Sequence, residues 1–214
     1  MSATMSTPKS SAETRRAERK EKRREELVDA ALRVFSRVGF ATAKMEDVAV
    51  EAGTSKGTVY LYFDSKEHLF EEMVKAKMLP LFVEAEAELA VDVGSAEERL
   101  KAHVKFFYKK ILNSDRRQIM RLIMAEGPNF PHLAEFYHAN ILSRGQAMMT
   151  AIIEEGVEKG EFRALSGHGL AQNVFAGALL AAMWKLIFDP YQPLDLDAYY
   201  ETHVDLVLNG LKAT

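Results

Sequence analysis

Between positions 53 and 66 the chain sets out a run of donors at helical spacing: Ser55-Lys56-Gly57-Thr58, then Tyr60, Tyr62 and Lys66. The order matches no catalytic set. It suits contact with a polyanion whose inner edges carry hydrogen-bonding groups, which is duplex DNA. A helix opening at Ser55 turns its free amide hydrogens and positive dipole end toward a phosphate. Lys56 can reach a phosphate or a guanine edge, and Thr58 a base edge or a thymine methyl. Gly57 has no side chain and lets another backbone come close. Tyr60 offers a flat ring and a hydroxyl. Lys66, just past the helix, can hold the phosphate backbone. Most such contacts position the helix, and only one or two read sequence.

Two short helices must present these groups. Residues 45–52 form the first, with Val48 and Ala52 four apart on one face and Ala49 small enough for close crossing. Gly53 can take the left-handed conformation that ends a helix. Thr54 or Ser55 then caps the second helix, whose Val59 and Phe63 face inward. Two helices joined by a short Gly-containing turn make a helix-turn-helix. The same spacing also fits a solvated helical hairpin, and Gly57 alone reads simply as a small residue.

The segment 27–70, LVDAALRVFSRVGFATAKMEDVAVEAGTSKGTVYLYFDSKEHLF, resembles the DNA-binding domain of the TetR/AcrR family of bacterial repressors. Ala30, Ala31, Phe35, Gly39 and Phe40 fit the first-helix pattern, and Val48, Ala49 and Gly53 the second. Ser55, Lys56, Gly57, Tyr60, Phe63, Lys66, Glu67 and Leu69 fit the third helix and the start of the fourth. The resemblance implies that Ser55, Lys56, Gly57, Thr58, Tyr60, Tyr62 and Lys66 face DNA. Two positions depart from the pattern. Ala43-Lys44 stands where Ser or Thr is usual, so Lys44 would supply the phosphate contact by charge. Thr54 replaces an apolar residue and joins the candidate DNA contacts.

The resemblance further implies a ligand-operated switch. An effector bound among the middle helices displaces the fourth helix, which is tied to the recognition helix through residues 63–69. The two recognition helices of a dimer then no longer fit successive grooves. By linkage, DNA weakens effector binding as much as effector weakens DNA binding.

Composition fits that reading once charge is read by position. The net charge of −3 argues against DNA, yet residues 1–66 hold 13 Lys and Arg against 10 Asp and Glu. Residues 1–24 hold eight against three. This basic arm, residues 1–20, is expected to be partly disordered; it can track phosphates or simply act as a solubilising tail that extends the first helix. The helix-turn-helix domain is expected over 21–66 and a helical effector-binding and dimerisation domain over 67–214. The chain has no cysteine, which excludes disulfides and thiolate metal sites and fits a reducing cytoplasm. No apolar run approaches the ~20 residues of a membrane span, and the start lacks the apolar core of a secretory signal. A cytoplasmic location is expected.

Everything past 66 reads as helix, giving an all-α fold of about nine helices. The fourth runs from Ser65 to about Ala90, with Pro80 expected to kink or break it. Ser95 to Glu98 is a capping-box pattern for a fifth helix reaching Leu112. A sixth follows Asp115, a seventh spans 131–159, an eighth spans 166–188, and a ninth runs from about 195 to 210. The eighth is apolar nearly all round, with small residues interspersed, so it must be buried on every side. The resemblance implies that the last two helices form a homodimer contact, which suits two recognition helices reading a palindrome ~34–36 Å apart; the alternative is one buried central helix in a monomer.

The middle helices are rich in Met and aromatics, as small-molecule pockets are. The candidate effector-binding residues are Met78, Phe82, His103, Phe106, Phe107, Met120, Met124, Glu126, Asn140, Arg144, Phe175 and Trp184. For any one of them, core packing is the simpler role. No cofactor or metal is expected. Glu135 and His138 have di-iron spacing but no second pair, and Glu201 and His203 read as surface residues. No nucleotide-binding or hydrolase motif occurs. The expected function is a ligand-responsive, dimeric repressor that binds double-stranded DNA and a largely apolar effector. The alternatives are a constitutive regulator without effector and, more weakly, an enzyme using the helical pocket.

Overall fold

The computed structural model describes residues 11–90, 94–165 and 169–213. Expectations for residues 1–10 and 166–168 lie outside these. Among the described residues the chain forms nine helices and no strand; the closest approach to a strand is one backbone bridge, Phe162 to Lys212. The chain divides after Met73 into two compact units.

The first unit holds α1 (Ser11–Val38), α2 (Met45–Glu51), α3 (Lys56–Tyr60) and the opening of α4 (Lys66–Ala90). Its core is built on α1, where Leu27, Ala30, Ala31, Val34 and Phe35 recur at helical spacing and are buried. Phe35, Phe40 and Phe70 form a ring cluster with centroids 5.5, 5.9 and 5.4 Å apart. Because Leu69, Phe70 and Met73 are buried, the unit extends past Lys66. No break occurs at residue 20 either, since α1 runs through it from Ser11.

Local chemistry sets the helix ends. The Asp47 carboxylate accepts the Lys44 N–H at 2.9 Å as α2 begins. Gly53, at φ +60°, turns the chain out of α2. Ser55 caps α3, its hydroxyl accepting the Thr58 N–H at 3.1 Å. The Ser65 hydroxyl accepts the His68 N–H at 3.0 Å and opens α4. Pro80 does not end α4. It and Ala76, whose carbonyl it leaves without a helical donor, are both exposed, so water can serve that carbonyl.

The second unit continues α4 and adds α5 (Ala96–Phe107), which runs on through the π-helical turn Tyr108–Leu112. Then come α6 (Arg117–Glu126) and α7, which joins Pro131–Tyr137, a π-helical turn His138–Leu142 and Ser143–Glu158. Last are α8 (Leu170–Ile187) and α9 (Leu196–Leu211). The Ser95/Glu98 capping box is formed, with bonds of 3.1 and 3.2 Å. Asp195 caps α9 through the amides of Asp197 and Ala198.

His203 corrects the surface expectation: it is 8% exposed. One ring nitrogen, Nε2, lies 3.0 Å from the Val174 carbonyl, which can only accept. Nε2 therefore carries the hydrogen, Nδ1 accepts, and the Tyr108 hydroxyl donates to it at 3.0 Å. Gly177 makes room, since a Cβ there would lie 2.5 Å from the imidazole. Burial lowers the pKa of this histidine, with the Val174 carbonyl acting in the opposite direction.

Helix α8 also departs from expectation. It is not buried all round but packs inward through Ala171, Val174, Ala178, Ala181 and Ala182. Leu179, Leu180 and Ile187 point out. By length and composition it would suffice to cross a membrane, although no contiguous apolar run that long occurs. Its alanine side is packed against protein.

Candidate nucleic-acid interface

Helix α3 divides cleanly between core and surface. Val59 and the following Phe63 are fully buried, and they fix the helix against Val48 and Ala49 of α2. Ser55, Lys56, Gly57 and Tyr60 are exposed, Thr54, Thr58 and Tyr62 half-exposed, and Lys44 is exposed at the start of α2. The expected donors, the half-exposed Lys66 among them, therefore remain accessible. The Thr58 hydroxyl lies 2.9 Å from that of Ser55, which fixes its rotamer at the first turn.

Gly57 is the most telling position. A Cβ built there would meet only the Ser55 hydroxyl, at 3.8 Å. Its φ is not in the left-handed region. Nothing inside the protein requires glycine, although glycine in a helix costs roughly 1 kcal/mol relative to alanine. A requirement for close approach from outside accounts for it.

Two features could not be read from residue types. Lys56 is paired with the Glu46 carboxylate and lies 5.7 Å from the centre of the Tyr60 ring. That hydrogen bond holds Lys56 above the ordinary lysine pKa and Glu46 below the carboxylate value. The cation is thus pre-positioned, and an anion must compete with Glu46 for it. Lys66, a candidate phosphate contact, is the second feature and already has partners within the fold. Its ammonium donates to the carbonyls of Phe40 and Ala41 at 2.7 and 3.2 Å and sits 4.5 Å from the Phe40 ring centre. It ties the α1–α2 loop to the start of α4. Sequence reasoning also passed over Leu61, which follows α3 and is 80% exposed.

Residues 27–73 match the description "Bacterial regulatory proteins, tetR family", and residues 90–207 match "Tetracyclin repressor-like, C-terminal domain". The chain belongs to the TetR family. It is 29% identical over 151 residues to the HTH-type transcriptional repressor NicS of Pseudomonas putida, covering 69% of each chain. Its fold is similar to that of the transcriptional regulator FadR from Bacillus subtilis in complex with stearoyl-CoA, with a TM-score of 0.71 and 22% identity over 87% of this chain and 98% of that one. It is also similar to a transcriptional regulator from Saccharomonospora viridis in complex with choline, with a TM-score of 0.76, 21% identity and coverage of 91% and 100%. This TetR-family chain is a transcriptional regulator whose relatives bind DNA.

In the second unit the twelve candidate effector residues do not form one lining. His103, Phe107 and Phe175 converge, with ring centroids 6.0 Å apart for the first and third and 5.4 Å for the second and third. His103 is 8% exposed and its Nδ1 has no hydrogen-bond partner. Burial takes its pKa down to about 4. Met78 and Phe106 are buried core residues, and Met120 and Glu126 are half-buried. Met124 is exposed. Arg144 is a surface tie rather than a pocket group: it lies over Phe82 at 4.9 Å and pairs with Glu86 at 3.1 Å. Asn140 is turned to its own helix, its amide donating to the Phe136 carbonyl at 2.9 Å. Trp184 donates to the Gln192 carbonyl at 2.8 Å, in the loop after α8.

An open groove of about 1060 Å³ lies between the later part of α7 and the start of α8, bordered by Gln146, Thr150, Glu154, Leu165 and Gln172 among others. None of the twelve candidates lines it. Glu135 and His138 are both exposed, and no cluster of three metal-ligating side chains occurs among the described residues.

Proposed function

We propose that this TetR-family regulator is a dimeric, sequence-specific repressor that binds a palindromic operator and is released from it by a small, largely apolar effector. The observation that carries the DNA half is the α3 face: exposed Ser55, Lys56 and Tyr60 and half-exposed Thr58 around a glycine that the fold itself does not need. Lys44 and the half-exposed Thr54, Tyr62 and Lys66 complete the candidate contacts. The proposed domain division follows the two compact units, with DNA contact in the first and effector and partner contact in the second.

The dimer reading is supported by α8, whose outward Leu179, Leu180 and Ile187, with Leu206 of α9, form an apolar surface suited to a second copy. Such a dimer sets two recognition helices on one operator. Repression and a cytoplasmic site of action follow the habit of relatives such as NicS. The protein is read as a non-enzyme. The effector is read as apolar because His103, Phe107 and Phe175 converge around one neutral imidazole with an unused nitrogen. Two structural neighbours hold stearoyl-CoA and choline, which share no chemistry that would choose for this chain. A second reading, a constitutive regulator, is favoured by the dispersal of the other candidates.

Selection of bound fragments from a genomic duplex library at fixed salt, with sizing of the complex, tests the proposal. An enriched inverted repeat bound by one or two dimers is expected. No enriched sequence, or enrichment by a monomer, overturns it.

A further inference from the structure

We propose that the exposed first part of α1, residues 14–23, is a second DNA contact: a helical arm lying along the phosphate backbone beside the site met by α3. The inference rests on the DNA-binding reading above. Helix α1 has 28 residues, yet its first buried residue is Leu27. Residues 14–22 are exposed on every side, so burial does not explain why the helix continues there.

Charge does. At 100° per residue, Arg15, Arg19, Lys22 and Arg23 lie on one side, flanked by Arg16 and Lys20. Glu21 lies opposite and Glu25 to the side, whereas Glu18 lies beside Lys22, and Glu26, where the basic side meets the body, pairs with Arg23 at 2.7 Å. The arrangement stacks like charges four apart: Arg15 with Arg19, Arg16 with Lys20, Arg19 with Arg23. Each such pair destabilises an isolated helix by a few tenths of a kcal/mol. A merely solubilising helix would do better with the signs interleaved. Among the described residues no ion pair holds Arg16, Arg19, Lys20 or Lys22.

The basic side has a definite direction. Continued along α1 at the same register, it reaches Arg33 and Arg37, which bind the Glu51 carboxylate of α2 at 2.7 and 3.0 Å. The basic side of the arm therefore leads to the exposed edge of α2, where Arg33 and Arg37 meet Glu51. Where the arm joins the body, Arg24 pairs with Glu72 and lies 5.8 Å from the ring centre of Phe63, just past α3. From there to Ser11 the helix runs on for ~20 Å. A duplex presents roughly a dozen phosphates over that length. The occupant is DNA backbone rather than a bilayer, because a membrane-surface helix needs an apolar face opposite its basic one, and residues 14–23 hold one apolar residue, Ala17.

The test uses the full chain and a mixed-sequence duplex of about four helical turns, titrated between about 50 and 200 mM salt. The variant R15Q/R16Q/R19Q/K22Q keeps helix propensity and touches no core. It should lower the slope of log affinity against log salt by roughly two to three and weaken binding at least ten-fold at about 0.1 M salt. E21Q/E25Q, on the side away from Arg19 and Arg23, should leave the slope unchanged. An unchanged slope in the arginine variant, or equal and opposite changes in the two variants, overturns the arm while DNA binding stands. Failure of the wild-type chain to bind duplex at low salt overturns the DNA reading itself, and the arm with it.

Discussion

Helices α3 and α8 each leave one face without a partner in the chain, and the two faces are opposite in kind. Helix α3 buries Val59 and turns Ser55, Lys56 and Tyr60 outward. Helix α8 buries alanines and turns leucines outward. The first face suits an anion and is sensitive to salt. The second suits another apolar surface, and its partner must be released against the hydrophobic effect. On the proposed reading, the first is a contact to DNA that opens readily and the second a contact between copies that persists.

Breaking the second face should have the largest effect. Leu180→Asp combined with Ile187→Asp removes two large apolar side chains, each worth about 1.5–3 kcal/mol when buried, and places charge in the interface. The dimer should weaken at least a thousand-fold, read by sedimentation equilibrium. A variant that still sediments as a dimer places the interface elsewhere. Breaking the first face comes next. A Cβ added at Gly57 meets only the Ser55 hydroxyl, at 3.8 Å, so Gly57→Ala should keep its melting temperature at or above wild type, while DNA affinity falls at least a hundred-fold by anisotropy. Retained affinity would show that no backbone approaches closely there.

Acid should separate the two units. The buried histidines, His103 and His203, both belong to the second unit. An unfolded imidazole titrates near 6.5, whereas burial takes His103 to about 4. Between those values the unfolded chain holds a proton that the folded chain lacks, so stability falls as pH drops through this window and levels off below it. The loss from this group is about 3 kcal/mol. His103→Leu should flatten that limb in urea melts at successive pH values; an unchanged limb would assign it to other groups. The smallest effect sharpens the first face. Glu46→Gln removes the competitor for Lys56 and should steepen the salt slope by about one. No change would mean that Lys56 stays off the phosphates.

The helix plan was largely legible because it is written in local chemistry. Ser55, Ser65, Ser95 and Asp195 each cap the helix that follows. The outward residues of α3 were legible for the same reason, since Val59 and Phe63 fix its inner side. What was not legible depends on residues distant in sequence. Nothing in its residue type shows that Lys66 is held by the Phe40 and Ala41 carbonyls, 26 and 25 positions away. The burial of His203 depends on Tyr108, Val174 and the absent side chain at Gly177. The candidate effector residues scattered because Met and aromatic content marks a core as readily as a pocket.

The chain has a single tryptophan, and its place gives it an optical use. Trp184 lies on α8 one turn after Leu180, half-buried, with its indole N–H fixed to the Gln192 carbonyl and its ring beside Phe188. All indole emission from this protein therefore originates at the edge of the apolar α8 face. Pairing of two copies would dehydrate that ring and shift its emission to shorter wavelength, whereas DNA contact at α3 would leave it unchanged. Assembly and operator binding can thus be followed as separate signals on the unlabelled protein.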